Sequence, residues 1–329
     1  METNNRKAMK RYKNNPIITR EDIPEIRPEL SDVSSVFNPG AVRFNDEYLL
    51  LLRVQNRGRE TSTLKATSRD GYRFELSGSP VVFRGMERIS EPVYHCYDPR
   101  ITRIDETFYI LLAMDMDAGC ALGLARTGDF ESFDFMGIVS TEDTRNGVLF
   151  PEKIKGKYMR LERPNARAFS SGATSGDTIC SAESDDLLTW RNVKPVASGR
   201  WHYWDEYIGA GPPPIKTREG WLQIYHGVAL HLSSIHIYQA GVMLLDLEDP
   251  SRVIARGRYN ILEPRETYEL LGQVPNVVFP SGAVVDEVDA QGFAESGSSV
   301  NIYYGAADTC VCLARTTIDS LLQAAKAGA

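Results

Sequence analysis

A surplus of positive charge is the first thing this sequence lacks. Its 37 Lys and Arg are outnumbered by 44 Asp and Glu, giving a formal net charge of −7 and a pI near 5.4. Phosphate-backbone recognition needs a basic footprint, so the balance argues against a nucleic acid partner. No apolar run approaches the roughly 20 residues of a membrane span, so no membrane partner is expected. The opening stretch METNNRKAMKRYK is charged and has no apolar core of a secretory signal, which makes the cytoplasm the expected compartment. The five cysteines (Cys96, Cys120, Cys180, Cys310 and Cys312) are odd in number and lack metal-ligand spacing. Cys310 and Cys312 alternate along one strand, and buried free thiols are expected here rather than a redox role. A Ser/Gly linker and a charge block are missing too, so the 329 residues read as one domain.

A short turn-and-strand phrase recurs five times, at an interval of roughly 50–60 residues. The copies are NPGAVRFNDEYLLLLRV from Asn38, YDPRITRIDETFYILLAM from Tyr97, FPEKIKGKYMRLERP from Phe150, GPPPIKTREGWLQIYHGV from Gly211 and FPSGAVVDEVDAQGF…SVNIYYGAAD from Phe279. Each runs from a Pro/Gly turn through an apolar strand and a polar tip to a second strand opening on an aromatic. A further strand follows, signed off by a Ser/Asp/Gly turn, as in TSRDGYRFE and ESDDLLTW. Val, Ile, Tyr and Leu at period two between Gly, Asp and Pro read as strands. A β-sandwich also has many short strands but does not repeat a whole phrase. The expectation is therefore an all-β fold, a single five-bladed β-propeller over residues 1–329 with about four strands per blade. About the first 30 residues should cover an edge or complete the last blade, and residues 316–329 should form a C-terminal helix.

In a propeller the innermost strands line a channel. The residues read as starting them are Asn38, Asp98, Pro151 with Glu152, the run from Pro212 to Pro214, and Ser281. Asp98, in HCYDPR, is either a turn cap or a catalytic acid. Arg53, Arg57, Arg59, Arg145 beside Asn146, and Arg163 are either surface ion pairs or, gathered at one mouth, an oxyanion clamp. The stretch RWHYWDEYIGAG holds Trp201, Trp204, Asp205, Glu206 and Tyr207 and is followed by His226. Flat aromatic faces beside carboxylates suit sugar rings, although tryptophans also anchor blades. His231 and His236 read as loop or structural residues, and no metal is assigned.

The ordered phrases FNPGAV, YDPRI, NGVLFPEKI, ERPN, GAGPPPIKT, YHGV, LLDLEDP, ILEP, VPNVVFPSG and YYGAAD resemble glycoside hydrolase family 130, from about Asn15 to about Leu321. That resemblance implies a five-bladed propeller that breaks β-mannosidic bonds with inversion, in some members by phosphorolysis and in others by hydrolysis. It implies that Asp98 is the general acid, in the phosphorylases acting through a sugar hydroxyl. Tyr97, Asn38 and Asp308 fall on sugar-binding positions, and Arg59, Arg145, Asn146 and Arg163 on phosphate-binding ones. No metal or organic cofactor is implied, only inorganic phosphate as co-substrate in a phosphorylase. One departure stands out: where the phosphorylases commonly carry a phosphate-binding lysine, this chain has Tyr207, preceded by Glu206. A carboxylate repels phosphate but can deprotonate water, as an inverting hydrolase requires.

The reading favoured on sequence is an inverting hydrolase of β-linked manno-oligosaccharides, with Asp98 as acid and Glu206 as base. Asn38, Arg53, Tyr97, Trp204, Asp205, His226 and Asp308 would contact sugar. Phosphorolysis to mannose 1-phosphate is the alternative, and a non-catalytic carbohydrate-binding propeller the second. Mouth loops at residues 56–62 and 168–177 would govern linkage and chain length. A homo-oligomer is left open.

Overall fold

Runs such as YLLLLRV, apolar at consecutive positions, suit strands buried on both faces. In the computed structural model, which describes residues 9–327 apart from 29, 166, 169–173 and 232–234, such strands form the middle of five antiparallel sheets set in a ring. The protein is a five-bladed β-propeller, as the repeat predicts. Blade one comprises Val33–Phe44, Glu47–Asn56, Thr61–Ser68 and Glu75–Pro80, and blade two Val93–Ile104, Thr107–Met116, Gly119–Thr127 and Phe133–Ile138. Blade three comprises Thr144–Leu149, Tyr158–Pro164, Thr178–Ser184 and Trp190–Ser198. Blade four comprises Tyr207–Ala210 with Ile215–Thr217, then Gly220–Leu230, His236–Leu245 and Val253–Arg256. Blade five comprises Val278–Val285, Ser299–Ala306 and Cys310–Thr317, and its outer strand is Lys10–Arg11, paired antiparallel with Arg315 and Ala314.

Apolar clusters fill each gap between blades and so tie the ring together. Between blades one and two, Leu49 and Leu51 meet Ile101, Ile110 and Leu112. Between three and four, Val148, Phe150 and Leu161 meet Ile208, Trp221 and Tyr225. The Asp turns that sign off the third strands also repeat. Asp70, Asp129, Asp186 and Asp246 each accept two backbone N–H groups from residues two and three positions on, which holds their carboxyls below the usual range. In blade five the turn gives way to a helix, Ile318–Lys326, capped by Thr317, which buries Ile318, Leu321 and Leu322 against blades four and five.

The first strands face one another around the axis, and four of them carry a bulge. In blades one, two and three two residues stand opposite one: Asn38 with Pro39, Asp98 with Pro99, and Asn146 with Gly147. This shifts one expected position. The third first strand is Thr144–Leu149, so Asn146, not Pro151 or Glu152, is the counterpart of Asn38 and Asp98. In blade four the first strand is Tyr207–Ala210, and the prolines from 212 to 214 follow it, because proline cannot donate to a ladder and interrupts pairing.

Glu269, fully buried, fastens the outer strand of blade five. Its carboxylate accepts from Arg11 at 2.8 Å through both Nε and Nη2, from the Tyr304 hydroxyl at 2.8 Å, and from two backbone N–H groups. Replacing Arg11 with Ala would strand that charge. We expect a loss of about 3 kcal/mol of unfolding free energy, read as a lower urea midpoint with unchanged slope. A loss below about 0.5 kcal/mol would show that the strand is not held this way.

Candidate active site

Asn38 (φ 48°), Asp98 (φ 53°) and Asn146 (φ 56°) all occupy the left-handed region. Asn and Asp tolerate it best after glycine, which accounts for the residue types at these bulges. Close approach of neighbouring strands completes the arrangement. A Cβ on Gly305 would lie 2.1 Å from Asn38 Oδ1, and one on Gly209 would lie 2.2 Å from Asn146 Nδ2 and 2.4 Å from His226 Cε1.

Asp98 is held by one oxygen. Asn38 Nδ2 donates to Oδ1 at 3.0 Å and Arg53 Nη1 to the same oxygen at 3.1 Å, while Oδ2 has no partner among the described residues. The Arg53 guanidinium lies between the rings of Phe37 (4.5 Å) and Tyr97 (4.3 Å), which fixes its plane. A carboxyl clamped at one oxygen and open at the other is fit to pass a proton to a bound group. Asp308 (φ 49°) keeps some exposed surface but is walled in by protein. Burial pushes its pKa up to about 6, the pull of Arg53 opposing and the charge of Asp98 adding.

The second cluster is cationic. Arg145 in the first strand of blade three stands opposite Arg163 in the second. Arg145 Nη2 donates to Asp115 Oδ1 at 3.2 Å, and the Tyr97 hydroxyl donates to that oxygen at 2.8 Å. Arg163 is buried, and burial, with Arg145 nearby, draws its pKa down to about 10. Among the described residues its guanidinium donates to Asn165 Oδ1 at 3.2 Å, and the Nε atoms of Arg145 and Arg163 are buried without an acceptor. Asn146 Nδ2 lies 3.3 Å from His226 Nε2. Burial, then Arg163 and Arg100, hold the His226 pKa well below its ordinary value, so the ring is neutral. With the Asn146 amide donating to Nε2, the proton sits on Nδ1, which has no acceptor among the described residues. Two guanidinium N–H groups and an imidazole N–H are therefore left without an acceptor among the described residues, donors of the kind an oxyanion can use.

Several expected residues lie elsewhere. Asp205 is fully buried, and its two oxygens are taken by Arg200 (2.8 Å twice), Arg256 (2.6 Å) and the Tyr225 hydroxyl (2.9 Å). Trp204 stacks on Tyr225 at 5.8 Å and donates Nε1 to the Arg258 carbonyl. Glu206 is buried, and its carboxylate has no hydrogen-bond partner among the described residues. Tyr207 opens the first strand of blade four. Arg59 stands exposed on the turn after Glu47–Asn56, without a side-chain partner among the described residues, and Arg57 pairs with Asp32 at 3.7 Å. Trp201 is exposed on the turn before blade four. His231 is exposed and His236 opens a strand. Of the two mouth loops, 56–62 is described, whereas 169–173 lies outside the described residues.

Four neighbours escape the sequence reading. Arg100, fully buried, donates Nε to the Gly211 carbonyl at 2.8 Å, and Asp115 joins Tyr97 to Arg145. Phe279 and Tyr238 flank the His226 ring at 4.6 and 6.0 Å. Only Arg100 carried a signal, as the residue closing YDPR.

A sequence profile described as beta-1,4-mannooligosaccharide phosphorylase matches residues 8–327. The chain belongs to glycoside hydrolase family 130. Similar family-130 proteins include the beta-1,4-mannooligosaccharide phosphorylase of Ruminococcus albus, 34% identical over 96% of this chain and 90% of that one. The 1,2-beta-oligomannan phosphorylase of a Thermoanaerobacter species is 33% identical over 89% of this chain and 94% of that one. Among solved structures, the beta-1,2-mannobiose phosphorylase of Listeria innocua, in complex with beta-1,2-mannobiose, superposes with a TM-score of 0.82 at 28% identity, over 96% of this chain and 99% of that one. As a family-130 member this protein is an enzyme.

The position of Asp308 gives a pH signature. Its carboxyl titrates near 6 when folded and near 4 when unfolded, so between these values the folded state binds the extra proton. Stability therefore falls as pH rises from 4 through 6, and above 6 the fold carries an opposed buried charge. Asp308→Asn is expected to be about 1–2 kcal/mol more stable than the parent at pH 7.5 and equal to it at pH 4, by urea unfolding at both. A variant less stable at pH 7.5 would mean that the charge is welcome there.

Proposed function

We propose that this enzyme cleaves β-mannosidic bonds of manno-oligosaccharides by phosphorolysis with inversion, releasing α-mannose 1-phosphate and a chain shorter by one unit. The observation that carries this is the set of buried donors on Arg145, Arg163 and His226 that have no acceptor among the described residues, linked to the Asp98 clamp through Tyr97 and Asp115. A phosphate oxygen would attack the anomeric carbon as the C1–O bond breaks. The departing oxygen would take its proton from Asp98, directly or through a mannose hydroxyl. Phosphate is already anionic, so this route needs no general base. Asn38, Arg53, Tyr97 and Asp308 would surround the mannose, and inorganic phosphate would be the co-substrate.

Hydrolysis, favoured on sequence, rested on the missing lysine beside Glu206. That is one cation lost where the arginines remain, and the related proteins from Ruminococcus, Thermoanaerobacter and Listeria are named phosphorylases. Phosphorolysis is therefore the better supported of the two. One observation still favours water: the Glu206 carboxylate, buried and without a partner among the described residues, is chemically able to serve as a base. The five free thiols, Cys96, Cys120, Cys180, Cys310 and Cys312, fit a reducing cytoplasm.

Product analysis separates the routes. With β-mannobioses of each linkage, cleavage should require phosphate and yield mannose 1-phosphate. Free mannose released at an undiminished rate without phosphate would sink the proposal. Asp98→Asn should lower the rate by about 10²–10⁴-fold, as for loss of a general acid. Glu206→Gln should leave phosphorolysis intact or mildly improved, since it removes a negative charge. A comparable 10²–10⁴-fold loss in that variant would instead mark Glu206 as a hydrolytic base.

A further inference from the structure

Asp98 and Arg145 belong to different blades, yet a run of contacts joins them. Asp98 accepts from Arg53, whose guanidinium lies 4.3 Å from the centre of the Tyr97 ring. The Tyr97 hydroxyl donates to Asp115 Oδ1 at 2.8 Å, and Arg145 Nη2 donates to that same oxygen at 3.2 Å. Burial holds the Tyr97 pKa well above its ordinary value, so the phenol keeps its proton and is the donor in this bond. Asp115 lies near the end of the second strand of blade two, opposite Cys120 in the third. The turn between them leads to the other arginine. Asp143 Oδ1 accepts from the Cys120 N–H at 2.9 Å and from Asn165 Nδ2 at 2.7 Å, and Asn165 Oδ1 accepts from Arg163. That turn is pressed onto Asp143, since a Cβ on Gly119 (φ 122°) would lie 2.7 Å from the Asp143 Cγ.

By charge alone Asp115 is a handicap to an oxyanion approaching Arg145, because like charges repel. Its geometry does something else. A guanidinium binds an oxyanion through N–H groups fixed in one plane, so holding Nη2 sets where the remaining donors point. The same carboxylate oxygen fixes the phenol of Tyr97, and with it the ring against which Arg53 lies. We propose that Asp115 is a positioning residue that couples the two halves of the site. A mannoside seated against Tyr97 orders Arg145 through Asp115, and phosphate on Arg145 orders Tyr97 in return, so the two substrates bind with positive cooperativity. This rests on the phosphorolysis reading above and adds to it that phosphate is held weakly until a mannoside is in place.

Asp115→Ala and Asp115→Asn both remove the charge, but Asn keeps an oxygen for the two donors. The difference between them therefore isolates positioning from electrostatics. The Asp115 side chain is 33% exposed, so both variants should fold. Initial rates are measured over a grid of phosphate and the β-mannobiose that the parent cleaves best. In the parent, KM for phosphate should fall about fivefold between low and saturating mannobiose. Asp115→Asn should keep that fall. Asp115→Ala should lose it, with a KM for phosphate about tenfold above that of the Asn variant and a smaller change in kcat. Tyr97→Phe, which removes only the hydroxyl, should raise KM for phosphate in the parent but not in the Asp115→Ala background. Should Asp115→Ala fail to fold, Tyr97→Phe takes its place: it should lose the fall that Asp115→Asn keeps. Equal behaviour of the Ala and Asn variants, a parent without coupling, or a Tyr97→Phe effect undiminished in the Asp115→Ala background would overturn the inference and leave phosphorolysis standing. Cleavage indifferent to phosphate would remove the phosphorolysis reading, and the coupling with it. If the parent cleaves no β-mannoside, calorimetry decides. Inorganic phosphate bound more tightly when mannobiose is present, in the parent and Asp115→Asn but not in Asp115→Ala, upholds the coupling, and any other result overturns it.

Discussion

A left-handed residue in the middle of the first strand is the constraint from which the site follows. An uninterrupted strand alternates its side chains between the two faces, and here both faces are committed to neighbouring blades. The bulge breaks that alternation, freeing Asn38, Asp98 and Asn146 from the inter-blade packing. Partner strands then supply cations in register. Arg53 stands opposite Phe37, and Arg163 opposite Arg145, so the residue before each of these bulges faces an arginine. One backbone device, repeated, thus sets an acid in blade two and donors in blades one and three.

The same packing explains why the cationic cluster is chemically potent. Arginines on a protein surface are satisfied by water, whereas Arg163 and the neutral His226 lie where water is excluded and few acceptors face them. Such donors cost stability as they stand. On the proposed reading an entering oxyanion would relieve them together, which would tie the affinity for that anion to the cost of leaving the site empty. Asp115 joins the Tyr97 hydroxyl and Arg145, so the Asp98 cluster and the arginine cluster meet at one carboxylate.

The repeat was legible in the sequence because turn residues and apolar runs are local signals, and the ring of five blades follows from them. Its phase was less legible. FNPG and YDPR mark the bulge with proline, but blade three marks it with RNGV, so the third copy was read from the following FPEK instead. Asp98, Arg145, Asn146 and Arg163 stand out at strand ends in the sequence, but their roles and their grouping come only through the family resemblance, since no spacing rule joins residues of separate blades. Trp204 and Asp205 look like a sugar platform in sequence. Yet Arg200, Tyr225 and Arg256, which surround the Asp205 carboxylate, come from 5, 20 and 51 residues away, and no local pattern reports them. Asp115, Tyr238 and Phe279 were invisible for the same reason. The preference for hydrolysis came from weighing one absent lysine above several arginines whose burial the sequence could not reveal.

The pairing of Lys10 and Arg11 with Arg315 and Ala314 has a consequence for biosynthesis. Blades one to four can each form from contiguous chain as it leaves the ribosome, but blade five takes its outer strand from residues made before blade one. Closure of so long a loop is slow compared with local strand pairing. Until it happens, blades one and five have no settled boundary, and Asn38 lacks the close approach of Gly305 that helps seat it beside Asp98. A nascent chain would therefore carry Asp98 and its arginines well before the blade-five strands emerge to seat Asn38 beside them.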